Sequence, residues 1–357
     1  MMKPVYILSA AVTSPQQHFE DEGFLQDIRE TNDGMLVVSE PNYRKYINPV
    51  AIRRMSKLLK MGISTGMNAL ERAGVTKPDA IITGTGRGSM VDTEAFLLNM
   101  IENEEEALTP TSFIQSTYNS VNGWLALQTR SNGYNQTYVN RGASFELALF
   151  DAQMLLNEDG EEQNILVGCL DEITPDYVKV KSKIGYWKEP LSSNLQLFVH
   201  SDTKGTLAGE GAAFFTLTNK SENALCSLLA VEMLQDASTD EVLAAINNML
   251  SAQGLSLTDI DVLLCGMNGD VQQQDVYTVL ESKADAHTSI AAFKHLCGEY
   301  DTSSGFATWI VTHLFEGQEV PEILIQKKGT HDTIRNILVV NHYILNSTSL
   351  LLFRSVE

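Results

Sequence analysis

Apolar and polar positions along the chain switch repeatedly between a helical period and strand-like alternation, so helix-like and strand-like stretches follow one another from end to end. The first stretch, Val5-Tyr6-Ile7-Leu8-Ser9-Ala10-Ala11-Val12, is aromatic and β-branched and suits a buried opening strand. Over residues 53–72 the spacing is helical, with Met55, Leu58, Leu59 and Gly62 in register. Thr109-Pro110-Thr111-Ser112-Phe113 reads as a turn, 115–131 as helix and 137–140 as strand. A strong helix follows at Ser144–Leu156 and a buried strand at 165–168. This alternation predicts an α/β fold with helices layered on sheet.

One pattern occurs twice. A helical run ending Ala69-Leu70-Glu71-Arg72-Ala73 leads into Gly74-Val75-Thr76-Lys77-Pro78-Asp79-Ala80-Ile81-Ile82-Thr83-Gly84. Much later, the helical run 242–253 leads into Gly254-Leu255-Ser256-Leu257-Thr258-Asp259-Ile260-Asp261-Val262-Leu263-Leu264-Cys265-Gly266. Both read as helix, glycine stop, short loop, Asp, apolar strand and Gly-rich loop. Glycine supplies the positive φ that ends a helix, and short apolar strands suit a sheet covered on both faces. Helix–glycine–strand units recur by chance in α/β proteins, but an echo this distant also predicts two similar halves, not a short-period solenoid. The seam is expected near residues 216–230, where the chain turns polar, giving halves 1–220 and 221–357.

Charge narrows the functional classes. The net charge is −20, and such a surface repels phosphate backbones and anionic membranes, which sets nucleic acid aside. Two basic clusters stand out against it: Arg53, Arg54, Lys57 and Lys60, and Lys179, Lys181 and Lys183. Each is either a solvated face or a docking patch for an acidic partner. Cys169, Cys226, Cys265 and Cys297 are far apart, without the paired spacing of a zinc site or the density of a disulfide scaffold. Reduced thiols and a cytoplasmic location are expected, with no metal and no cofactor. No apolar run reaches the ~18 residues of a membrane span.

Residues 137–156 combine a strand, a tight turn at Arg141-Gly142-Ala143 and a helix. A nucleophile elbow has this geometry: one side chain sits at a helix N-terminus, where backbone amides stabilise an anion. Gly84-Thr85-Gly86-Arg87-Gly88 follows a strand but lacks the spacing of a dinucleotide or P-loop motif, so it reads as a tight loop. His18, His200, His287, His313, His331 and His342 show no ligand spacing.

Several segments together resemble the β-ketoacyl-acyl-carrier-protein synthases of the thiolase superfamily. Arg53-Arg54-Met55-Ser56 is similar to their early helix. Thr109-Pro110-Thr111-Ser112-Phe113, with Ser116, Asn119 and Gly123, resembles the segment lining the dimer interface and acyl tunnel. Gly209-Glu210-Gly211-Ala212-Ala213 matches the GEGAA element, Gly168 to Pro175 the strand and loop after the nucleophile helix, and Phe293-Lys294-His295-Leu296-Cys297-Gly298 the lysine loop. The resemblance implies a thiolase-like five-layer αβαβα fold of two pseudo-duplicated halves. It also implies a catalytic Cys that takes the acyl chain, two His that assist decarboxylation and stabilise an oxyanion, and a Lys that organises the second His.

The catalytic positions implied by the resemblance hold other residues here. The elbow falls on Gly142, which has no side chain to act as nucleophile. The first His position falls at about Met267 and the second at Glu299, while Lys294 is retained. Loss of one oxyanion donor typically costs ~3 kcal/mol. Lys294 and Glu299 read as an ion pair. The Gly- and Phe-rich gate loop of the family is replaced by Asn341-His342-Tyr343-Ile344-Leu345-Asn346-Ser347. Ser112, Phe113, Thr117, Asn119 and Tyr343 are the candidates for tunnel and interface. On this reading the chain resembles a chain-length factor. It would be a non-condensing partner of an active synthase in fatty-acid or polyketide-type biosynthesis, as a heterodimer or with itself as a homodimer, and would meet acyl carrier protein through that partner. Two alternatives stay open. One is an acyl-transfer or decarboxylating enzyme with relocated residues, using Cys297 or a carboxylate pair of Asp270 and Glu299; His295, Cys297 and Glu299 would share one face of a strand. The other is a homodimeric acyl-ligand binding protein.

Overall fold

The computed structural model describes residues 2–356 apart from Ala107, Thr109, Asp159, Glu161, Pro190 and Leu345. The chain opens with β1 (Val5–Thr13), then β2 (Met35–Leu36), the one-turn helix α1 (Pro49–Ile52), the long helix α2 (Lys57–Ala73) and β3 (Ala80–Gly84). Next come α3 (Met90–Glu102), α4 (Pro110–Ser116), α5 (Ser120–Thr129), β4 (Tyr134–Tyr138), α6 (Ser144–Leu156), β5 (Asn164–Asp171), α7 (Pro175–Ser182), β6 (Ala208–Gly209) and β7 (Gly211–Thr218). The remainder is β8 (Cys226–Gln235), α8 (Thr239–Ala252), β9 (Val262–Cys265), α9 (Asp275–Lys283), β10 (Ser289–Ala292), α10 (Lys294–Cys297), α11 (Ser304–Gly317), β11 (Ile325–Lys327), β12 (Asn336–Tyr343) and β13 (Ser347–Ser355).

Strand order reveals the duplication. The strands run β11-β10-β9-β12-β13-β8-β1-β7-β5-β3-β4. From one edge, β4, β3 and β5 are parallel, then β7 and β1 join antiparallel. From the other side, β10, β9 and β12 are parallel, then β13 and β8 join antiparallel. The two runs meet where β1 pairs with β8. The echoed segments occupy equivalent places. Gly74 and Gly254 end α2 and the turn after α8 at φ 68° and 69°. Asp79 accepts from Asn164 N–H at the start of β5 (2.8 Å), and Asp261 accepts from Asn336 N–H at the start of β12 (2.9 Å). The five-layer αβαβα architecture follows. Apolar residues of α6 (Phe145, Leu149) and α11 (Phe306, Ile310) pack between the two runs of strands. Leu59 of α2 and Leu125 of α5 cover one outer face, and Ile246 of α8 with Leu280 of α9 cover the other.

Local chemistry moves several element boundaries away from the sequence expectation. The 53–72 helix begins only at Lys57, because Asn48 and Pro49 start α1 separately and Arg53 and Arg54 turn the chain. The expected turn at 109–113 is instead the start of α4: Pro110 sits in the first helical turn, where its fixed φ is favourable, while Thr109 lies outside the described residues. The expected helix 115–131 is broken at 117–119. Ser116 and Thr117 hydroxyls donate to the Phe113 and Ile114 carbonyls (both 2.8 Å), which competes with helix continuation. The family-type gate loop is here a hairpin, with Tyr343 opposite Ser347 and His342 opposite Thr348; Leu345 lies outside the described residues.

Candidate functional site

The corner between β4 and α6 is a 3-10 turn, Arg141–Ala143. The Ser144 hydroxyl locks it, accepting from Asn140 N–H (2.8 Å) and donating to Arg141 O (2.7 Å). Gly142 is buried there, and its neighbour above is Tyr343 at the end of β12. A Cβ on Gly142 would lie 2.8 Å from Tyr343 Cβ, Cγ and Cδ1, so the ring occupies the space a side chain at the corner would need. Tyr343 is only 3% exposed. Its hydroxyl accepts from Arg87 Nη2 (3.3 Å), and Arg87 Nε pairs with Asp301 at 2.7 Å. Arg87 is presented by the loop after β3, whose amides are already committed. Gly86 N–H, Arg87 N–H, Thr302 N–H and the Thr85 and Thr302 hydroxyls all donate to Asp171.

Beside this corner lies a second buried cluster. Lys294 Nζ donates to both oxygens of Glu299 at 2.8 Å and to His342 O at 3.2 Å. Asn268 Nδ2 donates to Glu299 Oε2 (2.9 Å). The lysine and glutamate side chains are 0% and 1% exposed. Burial holds the Glu299 carboxyl above the usual range, and Lys294 opposes that rise. His342 and Tyr343 are consecutive, so the end of β12 ties the two clusters together. Met267 is half-buried in the loop after β9. In the first turn of α6, Glu146 is fully buried with neither oxygen hydrogen-bonded among the described residues, and burial raises its pKa.

The structure separates other sequence candidates. Lys294–Cys297 is a helical turn, not a strand, so His295, Cys297 and Glu299 do not share a face. His295 bonds Ile323 O through Nε2 (2.9 Å). Cys297 is wholly enclosed and burial pushes its thiol well up, the reverse of what a nucleophile needs. Asp270 accepts from Gln272 N–H (2.9 Å), and Asn268 stands between it and Glu299. Ser112 is half-buried, while Phe113, Thr117 and Asn119 are exposed on α4 and the following turn, apart from Tyr343. Thr117 and Asn119 line a pocket with Asn135, Gln136 and Thr137 of β4, the edge strand of the sheet, whose Tyr134 is exposed. Of the first basic cluster, Lys57 turns inward to pair with Glu210, the buried acid of the GEGAA element, which also accepts from Val38 and Ile173 N–H.

Glu172, next to Asp171, accepts from Val91 N–H (2.9 Å) and the Ser89 hydroxyl (3.1 Å) at the start of α3. Burial, and secondarily Glu210, pushes its pKa up to about 7. The folded state therefore binds this proton more tightly than the unfolded chain does. Its contribution, about 3 kcal/mol, is complete below the ordinary glutamate pKa and is lost as pH rises through about 7. Glu172→Gln should therefore lose less stability than the wild type between pH 5 and pH 8, by about that amount in urea unfolding. Parallel pH profiles would contradict this.

The family described as "Beta-ketoacyl synthase, N-terminal domain" matches residues 29–258. The chain belongs to this family. No curated protein matches the sequence. Among solved structures similar to this β-ketoacyl synthase relative is a β-ketoacyl synthase from Burkholderia phymatum STM815, 14% identical, with a TM-score of 0.79 and full coverage of both chains (100%). A second is the ishigamide ketosynthase/chain length factor, 16% identical, TM-score 0.76, covering 99% of this chain and 100% of that one. A third is a ketosynthase bound to the hexaketide, in complex with its type II polyketide synthase acyl-carrier protein. It is 15% identical, with a TM-score of 0.71 and coverage of 99% and 100%. These likenesses establish the thiolase-like ketosynthase fold. Among the described residues no helix is long and apolar enough to cross a membrane.

Proposed function

We propose that this chain is a non-condensing, chain-length-factor-like subunit that pairs with an active β-ketoacyl synthase in fatty-acid or polyketide-type biosynthesis. Residues 1–220 and 221–357 would form its two halves, and acyl carrier protein would be met through the partner. The carrying observation is the occupied corner: Gly142 offers no nucleophile, and the Tyr343 ring fills the space where one would stand. Where the family resemblance expects a second His, Glu299 is locked to Lys294, and a buried carboxylate there opposes a developing enolate. The free edge of β4, with the exposed Tyr134 on it, supports pairing, since an open strand edge offers unpaired backbone groups to another chain. Two structural relatives, a ketosynthase/chain length factor and a ketosynthase in complex with its type II acyl-carrier protein, support the same reading.

The isolated protein should take no radiolabel from acyl-loaded carrier protein, while co-expression with a synthase that carries Cys and two His should yield a complex of the two chains on gel filtration. Acyl transfer onto the isolated chain would overturn the proposal. The relocated-enzyme alternative finds no support in Cys297, given its enclosure.

A further inference from the structure

At the outer side of the same corner, three cations gather around one tyrosine. The Arg87 guanidinium carbon lies 4.3 Å from the centre of the Tyr177 ring. Lys181 Nζ lies 5.8 Å from that ring centre and 4.5 Å from the centre of Tyr186. Arg141 Nη1 donates to Gly86 O (3.4 Å), immediately before Arg87, and Arg141 acts electrostatically on both Tyr177 and Lys181. Arg87 is answered by carboxylates: Asp301 pairs with its guanidinium, and the buried Asp171 also lies within its field. Among the described residues neither Arg141 nor Lys181 forms an ion pair. With Arg87 so answered, Arg141 and Lys181 remain as two uncompensated charges, in a chain of net charge −20.

Two further observations set this cluster apart from a solvated basic face. Lys179 and Lys183 of the same region are exposed, whereas Lys181 turns onto the two rings. Burial, then repulsion from Arg87 and Arg141, holds Lys181 below the ordinary lysine range. Arg141 is exposed and occupies left-handed backbone at φ 48°, a conformation that costs a non-glycine residue about 1–3 kcal/mol and is concentrated at functional sites.

We propose that Arg87, Arg141 and Lys181, walled by Tyr177 and Tyr186, form a binding site for a phosphate dianion, either free or carried as a monoester on a flat organic group. A dianion neutralises the two uncompensated charges, where a carboxylate would leave one. Guanidinium and ammonium groups supply charge-assisted hydrogen bonds to its oxygens, and the tyrosine faces suit a flat substituent. The site is built from side chains, because the amides of Gly86 and Arg87 are spent on Asp171. It stands independently of the proposed partner and is tested on the isolated full chain.

The test is calorimetric titration with inorganic phosphate and with phenyl phosphate at constant ionic strength. Both should bind the wild type. Tighter binding of phenyl phosphate, by about 2–10-fold, assigns the monoester form, and equal binding assigns the free anion. Lys181→Met and Arg141→Gly, the latter compatible with the positive φ, should each weaken binding about tenfold or more, as expected for loss of a hydrogen bond from a charged donor. Lys179→Met should leave it unchanged. Melting curves of the unliganded variants confirm that they fold. Absence of saturable binding of both probes to the wild type, or an unchanged affinity in the Arg141→Gly/Lys181→Met double variant, overturns the proposal.

Discussion

Glu299→Leu should cost the fold about 3–5 kcal/mol, because it leaves Lys294 charged, dry and without its carboxylate. In the native protein that ammonium has three acceptors: both Glu299 oxygens at 2.8 Å and His342 O at 3.2 Å. The substitution removes two of them and also strands the Asn268 amide, which donates to Glu299 at 2.9 Å. Neither partner of the pair can recover by reaching solvent, since the side chains are 0% and 1% exposed. Lys294→Met should be milder than Glu299→Leu, because burial already holds Glu299 above the usual carboxylate range and the lone acid can take up a proton. The double variant Lys294→Met/Glu299→Leu should recover most of the loss, because a buried pair replaced by apolar groups of similar size is often neutral in stability. Urea unfolding followed by tryptophan fluorescence measures all three. Single variants within about 1 kcal/mol of wild type would show the pair to be hydrated, contrary to the burial described.

The duplicated frame was readable in the sequence because each part of it is written locally. A helix stop, an aspartate and an apolar strand lie within about a dozen residues, so Gly74–Asp79–Ala80 and Gly254–Asp261–Val262 carry the same local pattern, and the two aspartates do cap equivalent strands. The turn at Arg141–Ala143 and the helix Ser144–Leu156 were legible for the same reason. The filling of the corner was not. Arg87 and Asp301 meet across more than half of the chain, and Tyr343 reaches Gly142 from a different layer; no periodicity records such pairings. Glu146 was hidden differently. Within Ser144–Leu156 it looks like one polar position on an apolar helix, yet α6 is enclosed by strands on both sides and leaves it no surface. The break at 117–119 was missed because hydroxyl-to-carbonyl bonds in the run Ser116-Thr117 override an otherwise adequate helical pattern. The alternating His295, Cys297 and Glu299 misled because two-residue spacing means a shared face only in a strand, and this segment is a helical turn.

Placing sulfur at the corner should not create acyl-transfer chemistry. Gly142→Cys must place its Cβ 2.8 Å from three carbons of Tyr343, closer than carbon atoms pack, so either the ring or the turn has to move. The ring is poorly placed to yield. It is 3% exposed, its hydroxyl is held by Arg87, and Arg87 is itself fixed by Asp301 and the Tyr177 face. Overpacking of this kind costs about 1–3 kcal/mol. Tyr343→Ala should cost more, about 3–5 kcal/mol, since it empties a large aromatic volume and frees Arg87 from one partner. Combined, the two changes should cost less than their sum by about 0.5–3 kcal/mol, because the second removes the obstacle that penalises the first. Equilibrium unfolding of the four proteins in the cycle yields this coupling, and strict additivity would mean that Tyr343 does not occupy the nucleophile's space. Acyl labelling of the double variant separates steric from chemical loss. With the space cleared and a thiol present, neither position 267 nor position 299 supplies a free base: Glu299 is bound to Lys294, and Met267 cannot accept a proton. The double variant should therefore stay unlabelled, and labelling that appears once the space is cleared would show that Tyr343, and not the residues at 267 and 299, keeps a thiol at this corner from reacting.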